Sequence, residues 1–330
     1  MKQQASTNLS ENVINEEFKE RLGSYLEEID KAYSNEHKSI NTRPLSAVLL
    51  LIENEVIQFR GPDEVDYLQS EEFTALMGMA QDWYFLRYGD LAKSSDRFQL
   101  KGIALFRKNP MRISFPQTTS VVEEERKSSW MVYSTHVEEH EDIVGYFSSA
   151  LDFDSLSEKD YEELFQSIDR VVFLTRSIAI STLSDTTKLD SSSAMMLKTV
   201  IRHIEKGIDD VLELGVESAV ACWEFHLAIE KSFKVYIKQK FGEGTHGHDL
   251  NKLNEIASKH NKKIDLGVLK KLPSDKDAIK LRYVEMQLPI RELISIYLLT
   301  LEIVNEITKD LDRKIRLYNA RILFNKPDWA

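Results

Sequence analysis

Only one cysteine, Cys222, occurs in 330 residues. That excludes an intramolecular disulfide framework and fits a reducing cytosol. Twelve glycines and seven prolines leave few chain breakers, so long helices are expected. An apolar N-terminal run of the signal-peptide kind is missing, and a cytoplasmic protein is expected. The most apolar late stretch, residues 288–307, is interrupted by Arg291, Glu292 and Glu302, which argues against membrane insertion. The P-loop, GxSxG and HExxH patterns are absent as well. Gly242, Gly244 and Gly247 spell GxGxxG, but they follow a helical pattern and not a strand, so the dinucleotide reading fails its context. Nothing in the chain calls for a cofactor.

What is present is an ordinary globular composition, 42% apolar and 29% charged, on a chain long enough for two or more domains. The net charge of -11 is uneven: residues 201–330 hold 22 Lys and Arg against 20 Asp and Glu, and residues 1–200 hold 21 against 34. The acidic part is a poor nucleic-acid surface, because phosphate contacts need clustered cations. The other part has one cluster of that kind, Lys231, Lys234, Lys238 and Lys240 with Lys262, Lys263, Lys270 and Lys271. Solvated helix faces are the plainer account of the same lysines.

Element patterns predict an α+β N-terminal domain followed by an all-α bundle, helical overall. Residues 1–40 read as a helix and linker, with Val13, Phe18, Leu22, Leu26, Ile29 and Tyr33 at helical spacing. Residues 41–155 read as a small α+β domain. In it, 46–59 is a strand pair, with a single buried helix as the rival. Gly61-Pro62-Asp63 is a turn and 66–88 a helix. Residues 97–116 form a hairpin turning at Lys108-Asn109-Pro110, 123–127 is a charged loop, and Trp130 to Val137 is a further strand. Residues 156–193 read as a connecting helix, capped by Ser157 with Asp160, and a Ser/Thr/Asp linker. Residues 194–330 form the bundle. Its last helix starts at Pro289 and runs beyond thirty residues to Ile322, a seam of the coiled-coil kind.

The bundle is organised around residues 221–250. Cys222, Phe225, Ile229, Phe233 and Tyr236 share one face. Trp223, His226, Glu230 and Lys234 form a stripe beside it. Gly242 and Gly244 end that helix, and Asp249 caps the next. A further helix, beginning near Ser274, carries Arg282-Tyr283.

Glu230-Lys231 and Lys234 on a long helix, then His248-Asp249-Leu250 with Leu253, then Arg282-Tyr283 before a final helix, resemble the HEPN family of helical bundles. The likeness covers residues 195–315. It implies a dimer formed through the bundle and a place among RNase toxins, nucleotidyltransferase partners, or phage-defence and stress components. The ribonuclease branch carries Arg, four to six residues, then His. No Arg in this chain stands at that spacing before a His, so the likeness is to a degenerate or binding-only member.

The candidate residues follow. His226 and Glu230, one turn apart, can form a general-base pair, with His248 a third catalytic candidate; a polar stripe satisfied inside the bundle is the alternative. Lys231, Lys234, Lys238, Arg282 and Tyr283 are the candidate binding residues. An ion pair from Arg282 to Glu224 or Glu230 competes with ligand binding. His246 and His248, with His260 or Asp249, are metal candidates, although zinc sites usually show tighter spacing and cysteine; a loop and helix cap is the alternative. His136 and His140 with Glu138, Glu139 and Glu141 form either a carboxylate–histidine cluster or an exposed charged loop. Cys222 reads as a small core residue. The expected role is a dimeric binding protein engaging RNA, a nucleotide or a partner protein in a prokaryotic defence or stress system. The alternatives are a ribonuclease of non-standard arrangement and a structural oligomer built on the last helix.

Overall fold

The computed structural model describes residues 16–57, 68, 70–92, 99–124, 128–148, 151–183, 187–260 and 264–325. Val13, the 61–63 turn, residues 125–127 of the charged loop, and Lys262 and Lys263 lie outside them. The protein is predominantly helical and forms two compact units. One comprises residues 1–97, 118–133 and 319–330; the other comprises 98–117 and 134–318. The units interleave along the chain, whereas the segments read from the sequence run consecutively.

The first unit contains helices α1 (Glu16–Asn35), α2 (Arg43–Glu53) and α3 (Glu71–Tyr88), with strands β3 (Thr119–Glu124), β4 (Ser128–Val132) and β5 (Arg321–Asn325). The expected strand pair at 46–59 is instead the helix α2, ended by a turn at Asn54-Glu55, with residues 58 and 59 outside the described set. Its run is apolar on all sides, so no periodicity separates strand from helix. Pro44 in the first turn, where its missing N–H costs nothing, favours the helix. Buried Arg43 fastens α2 to α1 by bonding Asp30 at 2.8 Å, Ser34 Oγ at 2.9 Å and the Lys38 carbonyl at 2.7 Å. The sheet is antiparallel in the order β3-β4-β5. The expected strand to Val137 therefore ends at Val132, apart from one more bond from the Tyr133 N–H to the Ala320 carbonyl.

The second unit contains the hairpin β1 (Gln99–Phe106) and β2 (Asn109–Pro116) and the helices α4 (Glu158–Ser181), α5 (Ser191–Glu213), α6 (Ala221–Phe241), α7 (Leu250–Ser258), α8 (Leu266–Leu269), α9 (Asp275–Arg282) and α10 (Ile290–Thr308). The hairpin turns one residue earlier than expected, at Arg107-Lys108. Both have positive φ (48° and 68°), and the pairing then starts at Asn109. A two-residue turn with this twist matches the twist of the strands. The outer edge of β1 is covered: the Ile103 N–H donates to Tyr297 Oη on α10 and the Leu105 N–H to Ser167 Oγ on α4.

Side-chain caps fix most helix starts. Ser157, Asp190, Asp249 and Ser274 each accept backbone N–H groups of the first turn. Gly242, at φ +77°, closes α6. The long last helix is corrected: α10 ends at Thr308. There Arg313 folds back and donates to the carbonyls of Thr308 and Ser181. Leu311, Ile315, Leu317 and Ile322 are buried all the same, so burial in loop and strand mimicked the helical period. Leu293, Tyr297, Leu301 and Val304 sit in this unit's own core, and the seam that motivated the structural-oligomer reading is consumed internally. Among the described residues no helix is long and apolar enough to cross a membrane.

After α7 the chain is held by Asn254, 1% exposed, whose amide exchanges two hydrogen bonds with the backbone of Ile264. Asn254→Ala leaves that N–H and C=O unpaired and is expected to cost about 1–3 kcal/mol, read as a lower urea midpoint at unchanged m-value.

Candidate functional site

Helix α6 positions the polar stripe. Its apolar face is spent on the core, where Cys222, Phe225, Ile229, Phe233 and Tyr236 are all buried. Burial pushes the Cys222 thiol up to about 12, so it is a packing residue and not a nucleophile. The neighbouring stripe is brought against the loop before α7, and there the sequence candidates converge.

Glu230 is 4% exposed and holds two partners. Oε1 accepts from Lys234 Nζ at 2.6 Å, and Oε2 faces His248 Nδ1 at 2.8 Å. A carboxylate at Nδ1 places the proton on that nitrogen and turns Nε2 of His248, which is 59% exposed, into a solvent-facing acceptor. His226, also buried, lies 4.0 Å from Glu230, and its Nε2 bonds the His248 carbonyl at 2.9 Å. That carbonyl can only accept, so Nε2 carries the proton. Burial lowers the His226 pKa against the raising effect of that bond and of Glu230, which keeps the ring neutral. Its role is to pin the loop backbone that presents His248.

Trp223 lies parallel to His226, with ring centroids 5.9 Å apart, and at 6.4 Å from His248. The Arg282 guanidinium stands 5.0 Å from the Trp223 ring centre and 5.7 Å from that of Tyr283. The expected ion pair from Arg282 to Glu224 or Glu230 is not formed. Glu230 is taken by Lys234 and His248, and Glu224 by Lys206 and His203. Among the described residues Arg282 makes no hydrogen bond, and its contacts are ring faces. Tyr283 is exposed. The result is a surface of two aromatic rings, a guanidinium with free donors and an oriented imidazole.

The expected cationic face of α6 behaves differently. Lys234 is bound to Glu230, Lys238 to Asp190 at 3.0 Å and Lys240 to Asp312 at 2.7 Å. Lys231 lies between Thr199 and His203 of α5. Lys231, Lys238 and Lys240 fasten α6 to its neighbours, Lys234 pairs within α6, and Arg282 with Tyr283 is the part of the binding set left facing solvent. His246 is exposed, and no group of three metal-ligating side chains occurs among the described residues. The 136–141 cluster is divided: His136 pairs with Asp169 at 3.0 Å, and Glu141 with Arg176. His203, Thr199 and Lys206 were missed. Their contacts depend on the α5–α6 register, which no local pattern carries.

No protein-family model matches the chain, no curated protein matches it, and no solved structure matches it.

Proposed function

We propose that this chain is a HEPN-like, dimeric binding protein of a prokaryotic defence or stress-response system, and that its ligand is RNA or a nucleotide held at Trp223, Arg282 and Tyr283. One observation carries the choice: the Arg282 guanidinium is bracketed by two rings with its N–H donors uncommitted. A guanidinium in that state offers paired donors to phosphate, and an exposed ring beside it offers a stacking surface for a base. The lysines of α6 support this reading less, because each already has an intramolecular partner.

Binding of labelled single-stranded RNA and of a fluorescent nucleotide, followed by anisotropy at low salt, tests it. Arg282→Ala is expected to weaken binding by about 1.5–3 kcal/mol, the range for hydrogen bonds to charged groups, or about tenfold and more in Kd. Lys238→Ala leaves it nearly unchanged. If neither probe binds the wild type and no partner co-purifies, the proposal fails. Light scattering reading a monomer removes the dimer.

The second reading, a ribonuclease of non-standard arrangement, is favoured by the buried Glu230 that orients His248 with Nε2 toward solvent, the layout of a general base. RNA cleavage lost in both His248→Ala and Glu230→Gln would establish it, and cleavage unchanged in both would remove it.

A further inference from the structure

A separate series of contacts joins α5 to α6. Glu224 Oε2 faces His203 Nδ1 at 2.7 Å, and His203 Nε2 faces Lys231 Nζ at 2.7 Å. Lys231 Nζ also donates to Thr199 Oγ1 at 2.9 Å, whose own proton goes to the Met196 carbonyl. The carboxylate fixes the tautomer: His203 donates from Nδ1 and presents a lone pair at Nε2. Both acceptors of the Lys231 amine are therefore uncharged. The other three lysines of α6 each rest on a carboxylate; Lys231 does not. Burial lowers its pKa against the opposing pull of Glu230 and Glu224, and Lys234 lowers it further. Lys231, Thr199 and His203 are half-buried, so a small reagent has access.

We infer that Lys231 is an acyl-acceptor site, activated by His203 and Glu224, for a small acyl phosphate. His203 Nε2 takes one proton from the Lys231 ammonium, and Glu224 stabilises the imidazolium. The Nζ lone pair attacks the acyl carbon. The Nζ–C bond forms, and the C–O bond to phosphate breaks with its electrons on the phosphate oxygen. A second Nζ proton leaves with the phosphate, and His203 returns the first to solvent. The product is an uncharged amide on α6. This stands independently of the ligand proposed for Arg282.

The full chain is incubated with acetyl phosphate, and acetylation of each lysine is followed over time by peptide mass spectrometry. Lys231 is expected to be labelled several-fold faster than Lys159 and Lys252, whose side chains are 85% and 78% exposed. His203→Gln removes that excess and leaves the two comparison lysines unchanged, with circular dichroism confirming a folded chain. Glu224→Gln keeps the imidazole and lowers the excess, so the relay is tested even if the histidine variant unfolds. Lys231 labelled no faster than the comparison lysines, or an excess that survives loss of both His203 and Glu224, overturns the inference.

Discussion

Replacing Arg176 with Met is expected to destabilise the second unit by about 3–5 kcal/mol, the range for breaking a buried ion pair by removing one partner. Arg176 is fully buried on α4 and Glu141 nearly so. The guanidinium bonds both oxygens of Glu141, at 2.9 and 2.5 Å, together with the carbonyls of His136 at 2.8 Å and Pro116 at 3.0 Å. Tyr146 Oη and the Glu138 N–H also donate to the carboxylate. Methionine fills the aliphatic part of the space but leaves Glu141 ionised without its counterion. The urea midpoint is the measurement, and a loss below about 1 kcal/mol, the level of a surface ion pair, would refute the assignment. Arg176→Met combined with Glu141→Leu should recover much of the loss, because no charge then remains buried. Acid gives an independent check. Burial alone would raise the Glu141 carboxyl, but its bonds from Arg176 and Tyr146 outweigh this and lower it. A lowered folded pKa gives stability that is present above the unfolded carboxylate value and is lost as pH falls through the folded one. The variant should lose that part of the acid dependence.

Phe225→Ala is expected to cost about 3–5 kcal/mol, as for a buried aromatic cut to alanine, and Gly207 gives the result a sharper form. A Cβ at Gly207 would lie 2.4 Å from the Phe225 ring, which is itself 0% exposed and packs at 5.8 Å against Tyr297. Gly207→Ala alone therefore overpacks the α5–α6 contact, at about 1–3 kcal/mol, against a gain of about 1 kcal/mol in helix propensity. With Phe225 cut to alanine the new methyl enters the vacated space, and Gly207→Ala should turn stabilising. Denaturant unfolding of the two single variants and the double variant measures this as a coupling energy. Simple additivity would mean that the ring does not abut Gly207.

Local chemistry made much of the bundle legible in the sequence. Ser157, Asp249 and Ser274 announce helix starts, Gly242 announces a stop, and the Cys222-to-Tyr236 spacing identifies the buried face. The stripe Trp223, His226, Glu230 and Lys234 was legible too. That Glu230 would hold His248, eighteen residues on, needed the fold. Arg176 was visible but unread. It follows Val172 by one turn on the apolar face of α4, where an arginine signals a buried partner. The end of α10 and the helix α2 were obscured for one reason: long-range burial places apolar residues at spacings that local periodicity assigns to another element.

Strand β4 pairs with β5 in register from Val132 with Arg321 to Ser128 with Asn325, across about 190 residues of chain, a separation that slows folding through loop closure. A ribosome adding about 5–20 residues per second delivers β5 some tens of seconds after β4. Throughout that interval β4 is paired with β3 on one side and open on the other, while residues 134–318 of the second unit emerge. Vectorial synthesis therefore completes the later-starting unit before the earlier one, and a chaperone that shields β4 would act on the nascent chain during that gap.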